Sequence, residues 1–302
     1  SVHELRRLTK ALVAHLGNNI GPHIDIPAPD VNTNPQVMAW IFDEYAKGHT
    51  ESSPLAVVTG KPVELGGCSG RLEATGRGVA IMLREFAKFR NLELSSLRVA
   101  IQGFGNVGYY AAKIISEELG AKVVGLSNAV GAIYNVDGID IEAAKEYENN
   151  HQDFFVGFLG ADEMEHRDDL LTCDCDVLIP AALSHAITAE VAQKTNAKLI
   201  IEAANGPTTP EANAILFEKG IAIIPSILAN AGGVVASYFE WTQNLQQYYW
   251  EHDRIITELD KRMVKAFWDV VEVMEEHGIE FRQAAYYIAL EKVAAAALLR
   301  GF

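Results

Sequence analysis

The hexapeptide Gly103-Phe104-Gly105-Asn106-Val107-Gly108 constrains this chain more than any other stretch. It follows the β-rich run Arg98–Gln102 and opens the helix-like segment Val107–Leu119, so it reads as the turn of a strand–turn–helix unit. In such a turn the first glycine permits a tight bend and the second lets the backbone approach a pyrophosphate. The third lets helix pack closely on strand. The first amides of a helix lack partners within it and carry partial positive charge, which seats a phosphate. A second strand, Lys122–Ser127, follows, and Asn128 stands 20 positions past Gly108. Gly103, Phe104, Gly105, Asn106, Val107, Gly108 and Asn128 are therefore the candidate nucleotide-binding residues. NAD enzymes often place an Asp or Glu at that strand end, whereas Asn can bond a ribose hydroxyl without repelling a 2′-phosphate. Residues 127–144 contain no Lys or Arg to bind such a phosphate. NAD and NADP both stay open, with the balance toward NAD.

Further runs, Asp176–Pro180, Leu199–Ala203 and Ile221–Pro225, alternate with helix-like segments at Ile187–Lys194 and Pro210–Lys219. In the last of these Thr209 can cap and Pro210 takes the first helical position. Such alternation predicts an α/β fold, a doubly wound Rossmann-type parallel sheet covered on both faces, with ligands at the carboxyl ends of its strands. Ser1 and Glu4 form a capping-box pattern, and Leu5, Leu8, Leu12 and Leu16 recur at helical spacing until Gly17. This predicts a core-facing opening helix with no leader before it. Residues 18–65 are turn-rich around a helix near Pro35–Lys47, and the tail from Ser237 to Phe302 reads as helices joined near Gly278.

The 302 residues include 25 basic and 40 acidic ones, a net charge of −15, which argues against nucleic-acid or anionic-membrane partners. Residues 140–176 carry twelve acids against Lys145 and Arg167 and read as a solvated face. Cys68, Cys173 and Cys175 form neither a disulfide framework nor a zinc set, which fits a reducing cytoplasm. Gly220 to Phe239 is uncharged, yet Pro225, Asn230, Gly232 and Gly233 interrupt it, so it is not read as a membrane span. No metal site is expected.

Several stretches together resemble the glutamate dehydrogenase family, within the wider glutamate, leucine, phenylalanine and valine dehydrogenases. They are Asp25-Ile26-Pro27-Ala28-Pro29-Asp30, Val58-Thr59-Gly60-Lys61-Pro62, and Gly70-Arg71-Leu72-Glu73-Ala74-Thr75-Gly76-Arg77-Gly78. Later come Glu202-Ala203-Ala204-Asn205-Gly206-Pro207-Thr208-Thr209-Pro210-Glu211-Ala212, Asn230-Ala231-Gly232-Gly233-Val234 and Ser237-Tyr238-Phe239-Glu240-Trp241. The resemblance implies reversible oxidative deamination of L-glutamate to 2-oxoglutarate and ammonia, with hydride passed to NAD or NADP. It makes Asp30 the catalytic carboxylate that moves protons to and from the amino group and the imine. It puts Arg71 and Ser237 on the substrate and makes Ala28 and Val234 lining residues of its pocket. Thr75, Asn205 and Asn230 would hold the nicotinamide and its ribose, and Ala182 would contact the cofactor. Cys68 stands where the family usually has Ser and reads as a small-residue exchange.

The same resemblance implies a homo-oligomer, commonly a hexamer, and a two-domain plan. The expected boundaries are 1–58 for the remnant of a substrate domain, 59–281 for the dinucleotide-binding domain, and 282–302 for a helix returning to the first. The family's catalytic lysine lies in a Gly-rich segment preceding the region matched here, and Lys10, Lys47 and Lys61 lack that setting. The alternative expectation is a non-catalytic nucleotide-binding paralogue or subunit.

Overall fold

The computed structural model describes residues 1–30, 32–49, 53–152 and 155–302. In chain order the helices are α1 (Val2–Leu16), α2 (Pro35–Ala46), α3 (Ala74–Arg90), α4 (Asn106–Glu117), α5 (Ile141–Asn150), α6 (Ala189–Lys194), α7 (Pro210–Glu218), α8 (Ser226–Ala229), α9 (Gly232–Gln246), α10 (His252–His277) and α11 (Phe281–Leu299). The strands are β1 (Arg98–Gln102), β2 (Lys122–Ser127), β3 (Ala132–Tyr134), β4 (Asp162–Glu163), β5 (Val177–Pro180), β6 (Leu199–Ile201) and β7 (Ala222–Ile224). The chain forms two compact units. One comprises residues 1–74 and 233–259, the other 75–232 and 260–302.

In the first unit, Ser1 closes the expected capping box with Glu4, and Gly17 ends α1 at φ 50°. Of its leucine stripe only Leu16 reaches the core of this unit, partly buried. Leu5, Leu8 and Leu12 are exposed, while Thr9 and Val13 are buried, with Val13 packed among Ile20, Val37, Met38, Ile41 and Tyr45. Two apolar stripes, 5/8/12 and 9/13/16, lie side by side on such a helix, and periodicity alone cannot choose between them. Asn34 caps α2 through Val37 N–H, with Pro35 at its first turn.

The second unit is built on a seven-stranded sheet of order β4-β3-β2-β1-β5-β6-β7. Strands β2, β1, β5, β6 and β7 are parallel, as expected. Strands β3 and β4 are antiparallel additions at one edge, so the sheet is mixed and not purely parallel. The central strands are short Val, Ile and Leu runs buried on both faces, which suits a sheet covered by helices on each side. Thr209 caps α7 through Ala212 N–H and Pro210 occupies its first turn. Helix α11 groups with this sheet: Arg282 pairs with buried Glu202 at 2.7 Å. Residues 59–74 group with the first unit. The expected boundaries, at 58/59 and 281/282, lie apart from these divisions. Among the described residues no helix is long and apolar enough to cross a membrane.

Candidate active site

Strand order turns around β1, with β2 on one side and β5 on the other, and such a switch point opens a crevice at the carboxyl ends of the strands. The Gly103–Gly108 turn sits there. Gly103 has φ 95°, and a Cβ on it would lie 2.9 Å from the Ala181 carbonyl carbon and 3.0 Å from the Ala182 side chain. A Cβ on Gly108 would overlap the Gly103 carbonyl oxygen, so only glycine lets α4 start this close to the turn. Gly105 faces open space and, as the N-cap of α4, offers no side chain to its first amides. Phe104 is buried beneath the turn, and half-buried Val107 begins the helix behind it. A cradle that a Cβ could fill, in front of a helix start whose N-cap is glycine, suits a phosphate-bearing group.

The other cofactor candidates follow other strands of the same sheet. Ala182 comes after β5 and is exposed. Asn205, after β6, accepts from Asn230 Nδ2 at 2.6 Å, and that nitrogen also donates to the Ala203 carbonyl at 3.2 Å. The loops after β5 and β6 are joined by Ile187 N–H to the Pro207 carbonyl and by His185 N–H to the Gly206 carbonyl. Thr75 lies at the start of α3, where Gly76 approaches the α4 backbone: a Cβ there would stand 2.6 Å from Ala111 N. Gly78 brings the same turn of α3 within reach of Ala229 and Gly232. The side chain of Gln102, just before the turn, has a buried Oε1 with no hydrogen-bond partner among the described residues, which a bound donor could satisfy.

Asn128 is engaged. Its Oδ1 accepts from Val130 and Gly131 N–H at 2.9 and 3.0 Å, and its Nδ2 donates to Glu148 at 2.7 Å. Buried Glu148 also pairs with Lys145 at 2.7 Å, whose Nζ lies 3.3 Å from the Phe104 carbonyl. Arg167 donates to the Ala129 carbonyl at 3.0 Å. Sequence reasoning missed these three neighbours. Glu148 and Lys145 lie on α5, which it read only as part of an acidic face, and Arg167 is far along the chain.

The substrate-side candidates belong to the first unit. Ala28 and Asp30 are exposed on the extended segment before α2. That segment is held by Thr59 N–H donating to the Pro27 carbonyl at 3.0 Å, and by Pro29, which lies against Gly60. Arg71 Nε donates to Ser237 Oγ at 3.0 Å, and Val234, one turn earlier on α9, is exposed. Arg71 is largely enclosed, and burial pulls its pKa down while the Glu240 charge opposes that. Among the described residues its side chain has no carboxylate partner, an arrangement that calls for an anion, since a buried fork of donors is costly when unpaired.

Behind these residues α9 grips the loop 60–68. Glu240 accepts from Gly60 N–H at 2.9 Å, Lys61 N–H at 3.2 Å, Cys68 N–H at 3.3 Å and Lys61 Nζ at 2.6 Å. Gln243 and Asn244 donate to the carbonyls of Gly67 and Gly66. Burial pushes the Cys68 thiol up to about 12, with Glu240 adding to the shift, so it is inert at neutral pH. All three cysteines are free. Lys10 is paired with Asp43 and Glu44, Lys47 with Glu44, and Lys61 with Glu240.

A Rossmann-type sheet with a glycine turn at its switch point, and loops converging at its carboxyl ends, defines a class of dinucleotide-binding oxidoreductases. Residues 66–301 match the family Glutamate/Leucine/Phenylalanine/Valine dehydrogenase, and residues 1–47 match the Glu/Leu/Phe/Val dehydrogenase dimerisation domain. A glutamate dehydrogenase of Thermotoga maritima is 48% identical over 303 residues, covering 100% of this chain and 72% of that one. The crystal structure of glutamate dehydrogenase from Peptoniphilus asaccharolyticus has a TM-score of 0.84 at 40% identity, covering 100% of this chain and 71% of the other. The hetero-hexameric glutamate dehydrogenase from Thermus thermophilus, in its Leu-bound form, gives 0.92 at 34%, again covering 100% and 71%. The chain belongs to the Glu/Leu/Phe/Val dehydrogenase family. It is an amino-acid dehydrogenase, and a nicotinamide nucleotide is the family's cofactor.

Proposed function

We propose that the amino acid is L-glutamate, deaminated oxidatively and reversibly to 2-oxoglutarate and ammonia. The observation that carries this reading is Arg71, an enclosed guanidinium bonded to Ser237 and lacking a carboxylate partner among the described residues, in the unit that also carries Asp30. In this reading Arg71 and Ser237 hold an anionic group of the substrate, and Ala28 and Val234 line its pocket. Asp30 takes the proton from the amino group and returns protons to the imine, as a positioned carboxylate can. The nicotinamide, when bound, supplies the hydride acceptor. Gly103, Phe104, Gly105, Asn106, Val107 and Gly108 seat its pyrophosphate, Asn128 faces the adenosine ribose, and Thr75, Ala182, Asn205 and Asn230 orient the nicotinamide end.

NAD is the preferred cofactor in this proposal. Glu148 bonds Asn128 and neutralises Lys145, and Arg167 lies 3.4 Å from Asp168, so neither cation is uncommitted toward a 2′-phosphate. Hexameric assembly and a cytoplasmic location belong to the same proposal, the first from a relative's assembly and the second from three free cysteines.

Exchanging Asp30→Ser tests it. Turnover is expected to vanish while NAD(H) affinity, read by fluorescence titration, stays at the parent value. Retention of most glutamate-dependent NAD reduction would overturn the role of Asp30, and equal turnover with leucine would overturn the substrate.

A further inference from the structure

The Lys61–Glu240 pair is fully enclosed, both side chains at 0% exposure, and it stands behind the substrate-side candidates. Lys61 Nζ donates to Glu240 at 2.6 Å and to the Val58 carbonyl at 2.5 Å, so the ammonium faces inward. Glu240 holds the amides of Gly60, Lys61 and Cys68, which fixes both ends of the loop leading to Arg71. Gly60 in turn supports Pro29, the neighbour of Asp30: a Cβ on Gly60 would lie 2.5 Å from the Pro29 ring. Ser237, the partner of Arg71, sits one turn before Glu240 on α9. The Glu240 charge also acts directly on Arg71. Within this cluster one carboxylate could be claimed by either of two cations, and Lys61 has it.

We propose that Lys61 is an internal counter-ion whose hold on Glu240 keeps Arg71 uncommitted, and that the pair thereby sets the affinity for an anionic amino-acid or oxo-acid substrate. Lys61 and Glu240 are positioning residues, not catalytic ones. The proposal rests on Arg71 being the substrate anchor, as argued above. Without Lys61 the buried carboxylate has an unbalanced charge, and the nearest remedy is to recruit Arg71 and repel the incoming anion. Without the Glu240 charge, Arg71 has no competitor, so the two losses have opposite consequences for binding. A pair that only stabilised the fold would make both losses look alike.

The test measures 2-oxoglutarate affinity by calorimetry in the full chain, for Lys61→Met, Glu240→Gln and the double variant, with melting temperature followed in parallel. Lys61→Met is expected to weaken binding by about tenfold or more, a change of the size that uncompensated charge produces. Glu240→Gln is expected to leave Kd unchanged or lower it. The double variant should return Kd to within about threefold of the parent, whatever it does to melting temperature. Equal weakening by both single variants, or a double variant as weak as Lys61→Met, would overturn the proposal. Should Lys61→Met not fold, a raised Kd in Glu240→Gln still overturns it and an unchanged or lowered Kd supports it. Arg71→Ala separates the two ideas: parent-like affinity in that variant removes the anchor reading itself.

Discussion

At the scale of single residues, the fingerprint turn separates two constraints that the motif presents as one. Gly108 is required by packing, since any Cβ would overlap the Gly103 carbonyl oxygen. Gly105 is not, since a Cβ there meets nothing within 4 Å and its φ of −74° suits any residue. If its reason is the approach of a phosphate, Gly105→Val should fold with a parent-like melting curve and lose NAD(H) binding. Gly108→Ala should lower the melting temperature by several degrees, because α4 must shift from β1. Unchanged nucleotide affinity in Gly105→Val would reduce that glycine to a bystander. The turn was legible because its purpose is local. The neighbours of Asn128 were not, for Glu148 and Arg167 reach that loop only through the folding of α5 and the segment after β4. The Lys61–Glu240 bond spans 179 positions, a separation at which no motif carries a signal.

At the scale of elements, the same contrast holds. Strands β1 and β2 match their expected limits because short apolar cores, Val99–Ile101 and Val123–Leu126, are each bounded by polar residues. Strand β4 is two exposed acidic residues and β3 only three residues, so their antiparallel pairing depends on the sheet already being present. Helix α5 hides in the acidic run, although Asp140 caps it through Ala143 N–H. Helix α11 buries Phe281, Ala284 and Ala285 and adds a polar tie: Arg282 donates through both terminal nitrogens to Glu202, at 2.7 and 3.2 Å, and through Nε to Asn213. Glu202 is fully buried, so removing its partner leaves an uncompensated charge. Arg282→Met should cost about 3 kcal/mol in denaturant unfolding, and adding Glu202→Gln should recover part of it. A cost below about 0.5 kcal/mol would place the pair with ordinary surface bridges.

At the scale of the whole molecule, charge sets how stability depends on pH. The chain carries −15 at pH 7 and is isoelectric near pH 5.0, so self-repulsion shrinks as pH falls toward that point. Particular carboxylates act in the opposite direction. Burial works against Glu85, yet Lys88, Arg84 and Trp268 hold its pKa below the usual range. The Arg77 fork holds Glu118 below it, and Lys198 and Arg98 do the same for Asp176 against burial. Each is lower folded than unfolded, so its stabilisation is complete above the unfolded value of about 4 and disappears as pH falls through the folded value. Between pH 7 and 5 these pairs stay ionised while repulsion eases, so melting temperature should hold level or rise slightly. Below about pH 4 the pairs are lost while the chain becomes increasingly positive, and both changes lower it together. Scanning calorimetry from pH 7.5 to 3 checks this. A melting temperature that declines steadily from pH 7, or one still level at pH 3, would show that these carboxylate pairs do not govern the acid limb.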